Sequence, residues 1–423
     1  MSTILFLIIL FKLKSPQIIL SYKKEIKDLK TPEEIILNSA ETEYYINIEI
    51  GTPKQKIKAN IEFTTFIFYL SGDPNYKKYN PKISSSYKTN FTKEEVIDCD
   101  LFYYGFLSNE TIYLNDNKIK YENFSFILSG KSTNNSKMFS CSIGLGFPAF
   151  YLKKNIINFI DILYLKKEIN SYSFFFNQIN ENEGNLIIGK FPHEYNPNKY
   201  KFKKYEISYP EISSYYHFWN SQFDFIKSDN QIFYKNHMTI FNFNLEGLIL
   251  GNLYFDYVKN NFFKFYLENK FCFIKNISYY SFIYCEKNHN INFENFKDII
   301  LFNKDFNQTF QFGYKDLFKE KGNFIFFLVF SHAEYFSMVS LGRIFFQKYQ
   351  LAFNFERKII LFYKDDLDAI YKNRNYTFII LLIVVLFIIC IIIFYFYLKC
   401  FNKKKKIYAK ELDEEIKLSE KII

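Results

Sequence analysis

The 423-residue chain is expected to be mainly β, with two β-rich lobes and one C-terminal membrane-spanning helix. Three observations carry this. Short apolar or alternating runs such as YYINIEI, KIKANIEFTTFIFYL, NLIIGKF, NFIFFLVF and QLAFNFERKIILFY recur between Glu41 and Tyr363, broken by Asn, Asp, Gly and Ser, which is a strand pattern. The length suits two lobes of ordinary size plus extra segments. One long apolar run lies near the C terminus.

Phe, Tyr, Ile, Asn and Lys are abundant along the whole length, whereas Gly (13) and Pro (9) are scarce. A bias of this kind spreads Phe and Asn everywhere, so a lone exposed Phe is not a binding feature. The net charge of +10 comes from lysines scattered among acids. The only dense basic block follows the apolar run, so no nucleic-acid partner is expected. Among the strands, the segment from Phe150 to Lys167 is the best candidate for a helix.

Phe378 to Leu398 reads FIILLIVVLFIICIIIFYFYL without charge, Pro or Gly. At 1.5 Å per residue about twenty residues cross a ~30 Å hydrocarbon layer. A span over residues 377–398 is therefore expected, with Tyr395 and Tyr397 at the interface. Lys399 and Lys403 to Lys406 follow at once, which makes residues 399–423 a cytoplasmic tail and the membrane a partner. At the other end ILFLIILF is too short to span a bilayer, and residues 1–22 read as a signal peptide. The chain is thus expected to be a single-pass type I protein of the secretory pathway or cell surface. Seven Asn-x-Ser/Thr sequons, at Asn90, Asn109, Asn123, Asn134, Asn276, Asn307 and Asn375, fall on the side expected to be luminal or extracellular. Cys99 and Cys141 lie in the first half of the ectodomain and Cys272 and Cys285 in the second, which suggests one disulfide per lobe. No spacing of Cys and His forms a zinc site, and neither a metal nor a cofactor is expected.

Ordered motifs then narrow the fold. Tyr44 to Gln55 reads YYINIEIGTPKQ, a strand entering a Gly-Thr-Pro turn in which Gly51 permits the tight bend and Pro53 fixes φ. SIGLGFP follows at Ser142, YSFFFNQINENEGNLIIG at Tyr172, the single Trp219, and LGRIFFQKYQLAFNF at Leu341. In this order the motifs resemble those of the pepsin-like aspartic proteases, from about Glu41 to Tyr363. The resemblance implies a bilobal pepsin-like fold, with lobes over residues 42–189 and 190–363 around a cleft that takes a peptide or protein. With one pair in each lobe, the expected disulfides are Cys99–Cys141 and Cys272–Cys285.

Such an enzyme needs two carboxyl groups that share one proton, one activating water and the other donating to the scissile carbonyl. Each resides in an Asp-Thr/Ser-Gly loop. Counted from the Gly-Thr-Pro turn, the first loop falls on Glu62, Phe63, Thr64 and Thr65. Counted back from LGNLYFDYVKNNFF, the second falls on Asn242, Phe243, Asn244 and Leu245. Glu62 keeps an acid displaced by one methylene, and an error of that size costs on the order of 10²-fold. Asn242 cannot ionise, and Asp-Thr-Gly occurs nowhere in the chain. Gly105 and Glu110 match the strand after the flap, but the count places Asp98 at the flap tyrosine, with Tyr103 and Tyr104 nearby. The expectation is a pepsin-like domain without catalysis that serves in binding or as a surface structural protein. The alternatives are a weakly active aspartic-type endopeptidase, in which Glu246 supplies the second acid to Glu62, and an unrelated β-rich receptor.

Overall fold

Alternation of side chains assigns the faces of the first strands. In β1 (Ile18–Lys24) Ile18, Leu20 and Tyr22 are buried and Ser21 and Lys23 exposed; in β2 (Tyr44–Ile50) Tyr44, Ile46, Ile48 and Ile50 point inward. The computed structural model describes residues 17–25, 29, 31–40, 42–63, 68–71, 79–98, 101–114, 119–129, 141–146, 158–197, 199–200, 206–208, 219–277, 279–289, 291–304, 308–332 and 339–363. These all fall within one compact unit that ends at Lys364.

The first sheet continues with β3 (Gln55–Glu62), β4 (Phe68–Ser71), β5 (Lys88–Asp98), β6 (Leu101–Leu114), β7 (Ile119–Ser129), β8 (Cys141–Gly144), β9 (Ser173–Gln178), β10 (Glu183–Ile188) and β11 (Glu206–Ser208). The second sheet holds β12 (Asn220–Ser228), β13 (Gln231–Phe241), β14 (Leu248–Ile249), β15 (Cys272–Ile277), β16 (Tyr280–Glu286), β17 (Ile299–Asn303), β18 (Gln308–Phe312), β19 (Phe318–Lys321), β20 (Phe324–His332) and β21 (Val339–Leu341). Finally β22 (Gln350–Asn354) and β23 (Ile359–Tyr363) return to the first sheet, whose order is β11-β23-β22-β9-β10-β1-β2-β3-β8-β4-β7-β6-β5. The sheets therefore do not divide at residue 189. The first takes β1 from ahead of the expected lobe and β11, β22 and β23 from behind it.

The position of β1 revises one expectation. It pairs antiparallel with β10 from Ile18↔Ile188 to Lys23↔Glu183 and with β2 at Lys24↔Tyr44, so it lies inside the sheet. A leader running to residue 22 would remove its buried face. Residues 18–22 belong to the folded domain, and residues 1–16 lie outside the described residues. The apolar patch at Ile18 to Leu20 is half of a period-two strand.

A helix over Pro32–Ala40 follows, beyond the elements expected from the sequence. Its start is a capping box: the Glu34 amide donates to Thr31 Oγ1 (3.2 Å) and the Thr31 amide to Glu34 Oε2 (3.1 Å), with Pro32 in the first turn. Ile35, Ile36 and Ala40 are buried, and Glu33 pairs with Lys275 on β15 at 2.9 Å. Within the expected helical stretch 150–167, a helix forms over Phe159–Leu165, capped by Asn158 Oδ1 on the Ile160 amide (2.6 Å).

Cys272 and Cys285 face each other on β15 and β16 and are joined by a disulfide, closing a loop with a sequence separation of 13. Closure of this length stabilises by about 3 kcal/mol. Cys141 is a free thiol, wholly buried at the start of β8, so the expected bridge to Cys99 is not made. Burial raises that thiol far above its ordinary pKa. Cys99 itself lies outside the described residues. Among the described residues no helix is long and apolar enough to cross a membrane. The expected span 377–398 and tail 399–423 lie outside them.

Candidate active-site loops

The two loops are delivered by parallel strand pairs of like construction. In the first sheet β3 runs parallel to β8 with Ile61 opposite Ile143 and Glu62 opposite Gly144, and the Leu145 amide donates to the Glu62 carbonyl (2.7 Å). In the second, β13 runs parallel to β21 with Phe241 opposite Leu341, and the Asn242 amide donates to the Leu341 carbonyl (3.0 Å). The strands that leave the loops pair back on the same partners, Phe68 on Ile143 and Leu248 on Leu341. Phe68 follows Ile61 at the same chain distance as Leu248 follows Phe241. The register thus makes Asn242 the counterpart of Glu62.

The second loop is folded upon itself and pinned to the first. Asn242 Oδ1 accepts the amide of Asn244 (3.0 Å) and the Asn242 carbonyl accepts the amide of Leu245 (3.2 Å), an Asx-type turn. Asn244 then crosses between the sheets. Its Oδ1 accepts the Phe63 amide (3.1 Å), and its Nδ2 donates to the carbonyls of Ile61 (2.8 Å) and Thr42 (3.3 Å). The Thr42 amide returns a bond to the Asn244 carbonyl (2.7 Å). One carboxamide thereby supplies the donor and the acceptor that hold the loops back to back. Sequence reasoning placed Asn244 in the loop without giving it this role, because the bonds it makes reach across about two hundred residues.

Phe63 and Phe243 are absorbed beneath the loops, and both are fully buried. Phe243 stacks on Phe176 at 3.8 Å and 8° and meets Tyr22, Tyr44 and Phe346 edge-on or tilted. Phe63 packs against Phe174, Phe176, Phe346 and Phe353. The rings fuse the two sheets into one aromatic core, with each edge-to-face pair adding about 0.5–1.5 kcal/mol beyond its buried area. Trp219 extends this core and donates its indole N–H to the Leu145 carbonyl (2.9 Å). Close packing behind the second loop requires Gly342, where a Cβ would lie 2.0 Å from the Gly247 carbonyl oxygen.

Glu246, the candidate second acid, is occupied elsewhere. Its side chain is 1 % exposed, with Oε1 against Lys319 (2.8 Å) and Arg343 (3.2 Å) and Oε2 against Lys321 (3.1 Å) and Lys24 (3.6 Å). Burial works against its charge, but Lys321, Lys24 and Lys319 outweigh it and hold the carboxyl well below the usual range. A catalytic partner must exchange a proton in mild acid, and this carboxyl stays ionised there. The cations come from β1, β19 and the helix Arg343–Lys348, so nothing near Glu246 in the sequence announces them.

The hairpin of β5 and β6 stands where the flap is expected, with Asp98 opposite Leu101 and Val96 opposite Tyr103. Glu110 on β6 is fully buried and accepts the Tyr79 hydroxyl and the Thr111 amide (2.7 Å), which makes it a structural acid. Of the sequons, Asn90, Asn123 and Asn276 are exposed, whereas Asn109 is half-buried and accepts the Ser125 hydroxyl (2.7 Å). Asn134, Asn307 and Asn375 lie outside the described residues. Among the described residues no group of His, Cys, Asp and Glu forms a metal site.

Comparison with known proteins agrees with this architecture. The family profile described as eukaryotic aspartyl protease matches residues 43–363. The chain is also similar to vacuolar protease A of Aspergillus fumigatus, 23 % identical over 154 residues. That stretch covers 33 % of this chain and 37 % of the fungal protein, so the chain spans well under half the length of that relative.

Proposed function

Because the chain belongs to the eukaryotic aspartyl protease family, we propose that it is a catalytically inactive, membrane-anchored member whose cleft binds a peptide or protein without cutting it. The observation that carries this reading is the state of Asn242. An amide stands where the second carboxyl is required, and its oxygen is engaged by the Asn244 amide in the turn that closes the loop. Glu62 alone can hold a water but cannot complete the shared-proton cycle. The weakly active reading needs a second acid, and the four cations around Glu246 argue against its supplying one.

The apolar run and the lysines after it support a type I anchor with the sequon-bearing domain on the luminal or extracellular side. The test of the binding reading uses the full-length protein in detergent and a peptide mimic carrying a central hydroxyl in place of the scissile carbonyl. Such mimics depend on the acid pair for their affinity. The expected result at pH 3–7 is a thermal shift with the mimic no larger than with the parent peptide that lacks the hydroxyl. Tight binding that disappears in Glu62→Gln would reverse the assignment. Protease added outside sealed vesicles should remove the domain and spare the tail, and a tail cut from outside would refute the topology.

A further inference from the structure

The Glu246 cluster carries more positive charge than it can use. Four cations, Lys24, Lys319, Lys321 and Arg343, surround two carboxylates, Glu246 and the more exposed Glu181, which Lys319 reaches at 2.6 Å. Two positive charges are left over. Lys319 and Lys321 are fully engaged, Lys321 also donating to Ser39 Oγ (3.0 Å). Lys24 and Arg343 are not. The Lys24 side chain is 11 % exposed, and its ammonium approaches Glu246 only at 3.6 Å, beyond hydrogen-bond length. Arg343 spends its two terminal nitrogens on the Glu181 carbonyl (3.0 Å) and on Glu246, while its Nε is buried without an acceptor.

A third donor shares this corner. Tyr44 lies directly opposite Lys24 in the β1–β2 register, and the Arg343 guanidinium stacks over its ring at 5.2 Å. The Tyr44 hydroxyl is likewise buried without a partner. Arg343 Nε and the Tyr44 hydroxyl are thus buried donors left unmade, which is costly, the more so for a charged group. A guest that satisfies all three must accept only, and must carry negative charge to offset the surplus. A water, which accepts from two donors at most, brings two donors of its own and carries no charge, meets neither need.

We propose that Lys24, Arg343 and Tyr44 form a buried site for one small monovalent anion of the halide class, bound where the first and second sheets meet the second loop. Its place in the fold gives it a structural task, to hold β1 against the Glu246 loop. Burial, and to a lesser degree the charges of Arg343, Lys321 and Lys319, pull the Lys24 ammonium down to about 8 against the pull of Glu246. Tyr22 and Tyr44 complete the groups facing it, and burial keeps Tyr22 protonated across this range. Bound anion favours charged Lys24, so affinity is highest below about pH 8 and falls as the lysine loses its proton above it.

The test measures thermal unfolding of the full-length protein in detergent, in sodium chloride and in sodium gluconate at equal ionic strength. Gluconate supplies the same screening in an anion too large for a buried site. At pH 7 the expected result is a saturable gain in chloride over gluconate on the order of 3 °C, which shrinks at pH 9.5. Lys24→Met and Tyr44→Phe should each reduce the gain, the second removing a single hydroxyl from an otherwise unchanged ring. If Lys24→Met fails to fold, Tyr44→Phe decides. Coincident chloride and gluconate curves for the unmodified protein would overturn the proposal, as would a gain left intact in Tyr44→Phe. Bromide in a crystal should give an anomalous peak between Lys24 and Arg343, and a peak confined to the surface would contradict the site.

Discussion

Asn244 gives the first test at the level of single residues. Its carboxamide satisfies the Phe63 amide and the Ile61 carbonyl in surroundings walled by buried aromatic rings. Asn244→Ala leaves both without partners, at a cost of roughly 3 kcal/mol, whereas Asn242→Ala loses one turn bond worth about 1 kcal/mol. Denaturant unfolding of the two variants should rank them in that order, and the reverse order would mean that the loops are not joined through Asn244. Glu246 gives the second. Breaking a buried ion pair from one side costs about 3–5 kcal/mol near neutral pH, which is the expected loss in Glu246→Gln. Because the folded carboxyl titrates below the ordinary value of 4.5, its contribution is complete above that pH and is lost as the pH falls beneath it. The stability gap between the unmodified protein and Glu246→Gln should thus narrow from pH 6 to pH 3, and a gap that widens in acid would contradict the ion-pair assignment. At this scale the sequence exposed the identities of Glu62, Asn242 and Glu246 but not their partners. A hydrogen bond from residue 244 to residue 63, or an ion pair from residue 246 to residue 24, leaves no local pattern.

Elements were more legible, since period-two alternation is a local signal. The run YYINIEI forms a strand and the runs NLIIGKF and NFIFFLVF supply most of two others, and the Cys272–Cys285 pair faces across one hairpin. The failures have physical causes. In β1 the strand IILSYKK lies only six residues beyond a more strongly apolar stretch, which hides its alternation within the expected leader. The Cys99–Cys141 pairing rested on lobe membership alone, and Cys141 turns out to be sealed in the core at the start of β8. The Thr31-Pro32-Glu33-Glu34 start of the first helix was a readable capping box that went unused. A prediction follows for β1. It is flanked on both sides within the sheet and places Ile18, Leu20 and Tyr22 in the core. A chain beginning at Gln17 should retain the cooperative thermal transition of the full chain, while one beginning at Lys23 should lose it. Equal transitions in both would show that β1 is dispensable.

For the whole molecule, the pepsin-like β plan was visible because its motifs occur in order, and the family match spans residues 43–363. What the motifs could not reveal is how the sheets are joined. The aromatic core around Phe63, Phe176, Phe243 and Phe346, the Asn244 bonds and the Glu246 cluster together bind the second loop to both sheets. Reverting Asn242→Asp alone keeps Glu62 and the loop anchored through Asn244, and on the proposed reading should restore little activity. The most direct measurement is cleavage of an acid-denatured protein by the purified full-length chain between pH 2 and pH 7, beside Glu62→Gln. The account predicts no cleavage above the level of Glu62→Gln at any pH. Robust cleavage with an acid optimum that vanishes in Glu62→Gln would contradict it.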